Sequence, residues 1–309
     1  MSTTTTGTEV LDGLEQAARA VASSVLPSVV GIGRNSRGSG VVVGPNRVLT
    51  NAHNLRDRTT QVTFADGRSA QGAVVGADTW GDLVVLDVDT ADSPAVTWSE
   101  DAPSTGAVVF AAARGLRGER ISFGIVSGTG RTFRGPKGRP VEGAIEHTAP
   151  LARGSSGGPL IDRNGAVIGL NTHRLGDGFY LALAAGTDLA ARVADLVAGR
   201  STTRLTLGVA VAPAHVARRL RASVGLPERD GLLVRGVDAG SPGGRAGITP
   251  GDLLVRAADR DLVTPDDLFA VLDGHDASAP LSIAVVRGAD EIAVSVSFDD
   301  DAPTEEGTA

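Results

Sequence analysis

The stretch GSSGGPL, Gly154–Leu160, decides how this chain is read. A serine set among glycines can present its hydroxyl while neighbouring backbone N–H groups approach a reacting carbonyl closely, because no Cβ keeps them away. Serine is a weak nucleophile. Such a loop needs a base, a carboxylate that orients the base, and donors for an oxyanion. The same letters fit G-x-S-x-G, the sharp strand-to-helix turn of another hydrolase design. That turn requires a helix after the serine, and Pro159 followed by a hairpin pattern argues against one. It also requires a later Asp and His, and His173, His215 and His275 stand in no matching context.

Upstream lies LTNAHN, with His53 just after a strand pattern, and GDLVVLDV, with Asp82 at the start of an apolar strand. Asp78, Asp82 and Asp87 compete for the acid role, and only Asp82 opens the strand. The order His53, Asp82, Ser156 is that of the chymotrypsin-like arrangement of base, acid and nucleophile. His147 and His173 flank these motifs and read as structural or surface residues. Five scattered histidines without HxxxH or HExxH spacing give no metal site.

Around these motifs run many short apolar segments separated by turn signals: SVVGIGR, GSGVVVG, RVLTNAH, QVTF, GAVVGA, DLVVLDV, AVVFAAA, GIVSG, GAVIGLN and YLALAA. They predict a mainly β fold, a barrel or sandwich. Asp66-Gly67 and Asn164-Gly165 read as type I′ hairpin turns. Leu11, Leu14, Ala18, Val21 and Val25 recur at helical spacing, which predicts a helix over 9–24. Thr187 or Asp188 caps a second helix that Gly199 closes. After a polar linker, 200–204, come strands LGVAVA, GLLVRGV, DLLVRAA, LSIAVVR and IAVSVSF, with a helix DDLFAVLDG started by Thr264 and Pro265. Residues 1–8 and the acidic run 299–309 read as disordered tails.

Composition narrows the field. The chain has 309 residues, 41 glycines, 3% aromatic residues, no cysteine and a net charge of −7. The length suits two domains. The missing cysteine excludes disulfides, thiolate metal sites and a cysteine nucleophile. Five of the acids lie in 299–309, and neither the whole chain nor its body has the basic balance that nucleic acid or an anionic membrane requires. Residues 1–8 hold no positive side chain, and Val21–Ile32 is too polar for a bilayer span, so the expected location is cytoplasmic.

The three motifs together resemble the HtrA (Deg) family of trypsin-like serine proteases, which carries a TNAH box, an Asp-Leu-led apolar strand and GNSGGPL at similar separations. ISFGIVSGTGRTFR (121–134) and VIGLNT also resemble family segments, and the likeness covers most of residues 20–198. It implies a chymotrypsin-like double β-barrel over 9–199, with Ser156 as nucleophile, His53 as base and Asp82 as its orienting acid. It also implies Gly154 and Ser156 N–H groups as oxyanion hole and Leu151 lining an apolar P1 pocket. Residues 205–298 resemble the family's PDZ domain, a small α+β unit. There Leu207, Gly208 and Val209 would receive a peptide's terminal carboxylate, with Leu268, Val271 and Leu272 shared between pocket and core. Arg204 either assists or is an exposed linker residue. The resemblance implies an endopeptidase of misfolded or unfolded polypeptides that needs no cofactor.

Several positions depart from the family pattern. Ser155 stands for Asn, Arg153 for Pro, Asn54 for Val, and AAARG for a Gly-Asn-Pro-Phe turn. Asp259-Arg260 replaces an Asn-Gly hairpin. Residues 1–63 contain no aromatic, where family trimers use one, so the homo-oligomeric state is open. The altered loop supports an alternative, a peptide-binding, chaperone-like scaffold with a latent protease domain. The Gly/Pro/Arg-rich stretch 128–140 sits at the family's activation loop and is expected to be mobile, ordering on ligand binding.

Overall fold

The computed structural model describes residues 7–115, 117–135, 138–201 and 204–298. The chain separates into two compact units, Met1–Thr202 and Thr203–Ala309.

The first unit opens with α1 (Gly7–Val25), so Gly7 and Thr8 are helical rather than part of a tail. Val21 and Val25 pack on Val29, Phe110, Ala112 and Ile161. Six strands follow: β1 (Val29–Ile32), β2 (Gly38–Gly44), β3 (Arg47–Thr50), β4 (Thr59–Thr63), β5 (Ser69–Asp78) and β6 (Leu83–Asp87). They close into a barrel in the order β1-β2-β3-β6-β5-β4. Val30, Ile32, Val42, Val48, Val62, Phe64, Val84 and Leu86 fill it.

A second barrel, ordered β10-β11-β12-β9-β8-β7, is built from β7 (Val108–Gly115), β8 (Gly118–Arg134), β9 (Pro140–His147), β10 (Pro159–Asp162), β11 (Val167–Gly176) and β12 (Phe179–Ala184). A shared core joins the barrels: Val41, Leu49, Leu83 and Val85 of the first meet Phe133, Ala144, Leu170 and Leu181 of the second. Leu189, Val193 and Leu196 of α2 (Thr187–Val197) complete it. Gly186, not Thr187 or Asp188, occupies the position before α2.

The mainly β, double-barrel expectation is borne out, with two local corrections. Stretch 128–140 is not a loop throughout. Arg131 pairs with Ala144 and Phe133 with Val141 in a β8–β9 ladder, and burying Phe133 and Val141 in the shared core outweighs the Gly and Arg content. Within that stretch, Pro136 and Lys137 lie outside the described residues. The Asp66-Gly67 and Asn164-Gly165 turns are not type I′, which needs φ > 0 at both central residues. Only Gly67 (φ +86°) and Gly165 (φ +86°) are left-handed, as in a type I turn followed by a bulge glycine.

The second unit contains β13 (Val209–Ala212), α3 (Ala214–Ser223), β14 (Leu232–Val237), α4 (Pro242–Arg245), β15 (Leu253–Ala257), β16 (Arg260–Asp261), α5 (Pro265–Gly274), β17 (Leu281–Arg287) and β18 (Asp290–Val296). The sheet runs β13-β14-β15-β17-β18, with β16 on β15 and β13 at one edge. Thr264 and Asp267 form a capping box that starts α5. Asp267 accepts from the Thr264 backbone and hydroxyl, the Arg260 guanidinium and the Val263 N–H, which hold its carboxyl at about 2. Helix α3, absent from the sequence reading, buries Ala214, Ala217 and Arg221. The tail at 299–309 and linker residues 202–203 lie outside the described residues.

Candidate active site

His53 sits in a single 3₁₀ turn, Ala52–Asn54, directly after β3. Its Nδ1 lies 2.7 Å from Asp82 Oδ2, and its backbone N–H donates to Asp82 Oδ1 at 3.0 Å. Asp82 is fully buried and left-handed at φ +58°. That backbone form is uncommon for a residue with a Cβ and persists only where surroundings over-determine it. The determinants are here. Asn51 Nδ2 and the Ala52 N–H donate to the Asp82 carbonyl at 2.9 and 3.2 Å. The preceding turn is clamped by Arg192 of α2, which donates to Asp78 Oδ2 at 2.7 Å and to the Gly81 carbonyl at 3.2 Å. Of the three competing acids, Asp78 is thus spent on Arg192 and Asp87 on Arg47, and only Asp82 reaches the histidine.

One residue given no role in the sequence argument completes the shell around Asp82. Thr172 Oγ1 donates to Asp82 Oδ2 at 2.9 Å, and the Thr172 carbonyl accepts the Ser156 hydroxyl at 3.0 Å. The Ser156 hydroxyl therefore rests on Thr172. Among the described residues no hydrogen bond joins it to His53.

The loop that carries Ser156 is held by its carbonyls. Ser39 Oγ donates to the Gly154 carbonyl at 2.7 Å. The Ser39 N–H and Asn54 Nδ2 donate to the Ser156 carbonyl at 2.8 and 2.9 Å. Asn54, one of the departures from the family pattern, is buried and bridges Thr50 Oγ1 to that carbonyl. The Gly157 N–H donates to the Asn171 carbonyl at 2.7 Å. The N–H groups of Gly154 and Ser156 find no acceptor among the described residues, so both remain available as donors. Gly154 takes φ +86°. Leu151 is half-buried against the second barrel's core of Val126, Ile145 and Leu160.

His147 and His173 part company. His173 is exposed, its ring 5.5 Å from Phe133. His147 is fully buried, stacked 5.8 Å from Tyr180. Neither of its ring nitrogens has a hydrogen-bond partner. The neighbouring Asn171 side chain falls short of a full bond, so burial dominates and pushes the imidazole from 6.5 to about 4. The unfolded chain thus takes a proton near 6.5 while the folded one resists until about 4. Stability contributed by neutral His147 is present above the upper value and drains away as pH falls through the lower one. The full loss is roughly 3 kcal/mol. Denaturant titrations of wild type and His147→Phe at neutral and acid pH should show wild type losing about that much more than the variant. Parallel losses would contradict it.

In the second unit, Leu207 is buried and its carbonyl accepts from the Gly243 N–H at 2.9 Å. Gly208 is left-handed at φ +67°, and its N–H donates to Thr206 Oγ1 at 3.1 Å. Val209 begins the edge strand β13, paired with Val237. Leu268 and Leu272 are buried in the core, and Val271 is half-buried beside it. Arg204 forms an exposed ion pair with Asp273 at 3.4 Å.

Comparison with known proteins adds identity to this geometry. The trypsin-like peptidase domain family matches residues 38–170, the span holding His53, Asp82 and Ser156. A putative serine protease, HhoB, of Synechocystis is 31% identical over 265 residues, 81% of this chain and 63% of the relative. A probable periplasmic serine endoprotease, DegP-like, of Halomonas elongata is 30% identical, over 86% of this chain and 57% of its own. The chain is a homologue of the HtrA-type serine proteases. The solved structure of the HtrA-type protease AlgW with a decapeptide superposes with a TM-score of 0.63 at 25% identity, covering 91% of this chain and 97% of that one. The fold of this HtrA homologue is thereby chymotrypsin-like. The chain spans under two thirds of the length of the curated relatives named here.

The cytoplasmic expectation is overturned. Relatives in Halomonas elongata and Rhizobium meliloti are named as periplasmic endoproteases, which points to the periplasm. The physical reason is that compartment is an address, not a property of the barrels. A cysteine-free domain forms no disulfides in any redox environment. No described helix is long and apolar enough to cross a membrane.

Proposed function

We propose that this HtrA homologue is a serine endopeptidase that cuts misfolded or unfolded polypeptide by a Ser-His-Asp mechanism, and that its second unit is a PDZ-type module for peptide C-termini. The reading is carried by the His53 Nδ1–Asp82 Oδ2 contact of 2.7 Å beside a serine loop with two unspent N–H donors. Asp82 fixes the His53 tautomer with the proton on Nδ1, leaving Nε2 as base. Substrate entry turns the Ser156 hydroxyl from the Thr172 carbonyl toward Nε2 by rotation about χ1. Ser156 Oγ then attacks the scissile carbonyl as its proton passes to His53. The Gly154 and Ser156 N–H groups take the developing oxyanion, each worth about 3–4 kcal/mol. His53 next protonates the leaving amine, and water repeats the sequence to release the acyl group. Leu151 favours an apolar P1 side chain. No cofactor takes part.

For the second unit, β13 is an edge strand, so a peptide can add beside Val209–Val211. Its carboxylate would meet the Leu207–Val209 segment, although Gly208 must exchange the Thr206 hydroxyl for it. Arg204 is already paired and has no part in this reading.

The scaffold alternative is favoured by one observation, the Ser156 hydroxyl resting on Thr172 instead of His53. Incubation with unfolded casein separates the two. The protease reading expects fragments from wild type and none from Ser156→Ala. Intact casein in both, with casein still protected from aggregation, would favour the scaffold.

A further inference from the structure

A cleft of about 1250 Å³ opens beside the nucleophile loop, bordered by Asn54, Arg34, Arg37, Arg56 and Arg153. It lies where β1 stops at Ile32: one last bond joins the Gly33 N–H to the Gln61 carbonyl at 2.7 Å, and among the described residues the turn that follows makes no further pairing with β4. That turn lies against the nucleophile loop: a Cβ on Gly154 would stand 2.6 Å from the Ser36 carbonyl. The four arginines are exposed, and none forms an ion pair among the described residues. A single carboxylate, Asp57, shares the cleft with them. In a chain of net charge −7, four guanidinium groups against one carboxylate around a single concavity are a local inversion of the field.

Position assigns the cleft a role, given the hydrolytic reading above, on which this inference rests. His53 hands its proton to the departing amine, so the chain on the leaving side exits past His53, Asn54 and Arg56. The acyl side lies instead toward Leu151, which does not border the cleft. We propose that the cleft is the primed-side subsite and that Arg34, Arg37, Arg56 and Arg153 select substrates with Asp or Glu in the two or three positions after the scissile bond. Guanidinium groups take carboxylates bidentately, and exposed pairs act chiefly on encounter rate and specificity.

The test uses three quenched peptides, identical up to the cleavage point and continuing with Asp-Glu, Ser-Gln or Lys-Arg. An ester of the same acyl part, lacking primed residues, serves as control. The expected order of kcat/KM is acidic, neutral, basic, with roughly tenfold between the extremes at low salt, since a few exposed pairs contribute modestly each. The spread should close near 0.5 M salt, where screening acts within about 4–5 Å. Arg37→Gln with Arg56→Gln should compress the order toward equality, whereas a merely structural role would slow all three peptides alike. Equal kcat/KM for the three peptides, with the ester hydrolysed, would overturn the subsite. An ester left intact would overturn the hydrolytic reading and this inference with it.

Discussion

Asp82→Asn should lower kcat on casein or a peptide by about 10⁴-fold, the cost expected when the acid of such a triad loses its charge. The reason lies in hydrogen-bond polarity. Asp82 Oδ2 accepts from both His53 Nδ1 and Thr172 Oγ1, and Oδ1 accepts from the His53 backbone N–H. A carboxylate meets three donors with acceptors alone, which an amide cannot do. The amide NH₂ turned to the ring makes Nδ1 the acceptor and moves the imidazole proton to Nε2, the atom that must receive the Ser156 proton. Turned the other way, it faces the backbone N–H, a clash of donors worth about 1–3 kcal/mol of stability. Steady-state kinetics together with a denaturant melt check this. A variant that keeps its fold and retains activity within tenfold of wild type would contradict the role given to Asp82.

Gly157→Ala should be the most damaging small substitution in the first unit, at about 3–5 kcal/mol of stability with loss of hydrolysis. Gly157 is left-handed at φ +84°, and a Cβ there would stand 2.1 Å from the Ser39 carbonyl and 2.5 Å from Thr50 Oγ1. Those two atoms are themselves bonded at 2.6 Å, and Ser39 and Asn54 hold the Ser156 carbonyl. Relief of the clash therefore separates β2 from the Ser156 loop that it fixes. Gly67→Ala is the control, left-handed at φ +86° with nothing within 4 Å of its added Cβ, and should cost only the backbone strain. Thermal melts of both variants should differ widely, and equal shifts would contradict the steric account.

Much of the fold, and the His53–Asp82 contact beside the Ser156 loop, could be read from the chain because the signals are local. His53, Asp82 and Ser156 each stand in a short motif, and alternating apolar runs mark the barrel strands. What escaped depends on closure of the barrels. Thr172, Ser39 and Thr50 are ordinary hydroxyl residues in sequence, and become site residues only when β2, β3 and β11 meet. Arg192 stands in none of the motifs, and only the packing of α2 brings it to Asp78. The β8–β9 hairpin was hidden by Gly135, Pro136 and a run of arginines, although Phe133 and Val141 carried the burial signal. Asn54 was visible as an oddity, and its bond to the Ser156 carbonyl accounts for it.

The central claim is that Ser156 is a nucleophile activated by His53. It is tested most directly by intact-mass and peptide mapping after exposure to a fluorophosphonate, which phosphonylates only an activated serine hydroxyl. The account predicts one adduct on Ser156 in the wild type, and none in Ser156→Ala or after His53→Ala. No adduct on wild type at any probe concentration, with or without a peptide bound to the second unit, would contradict it.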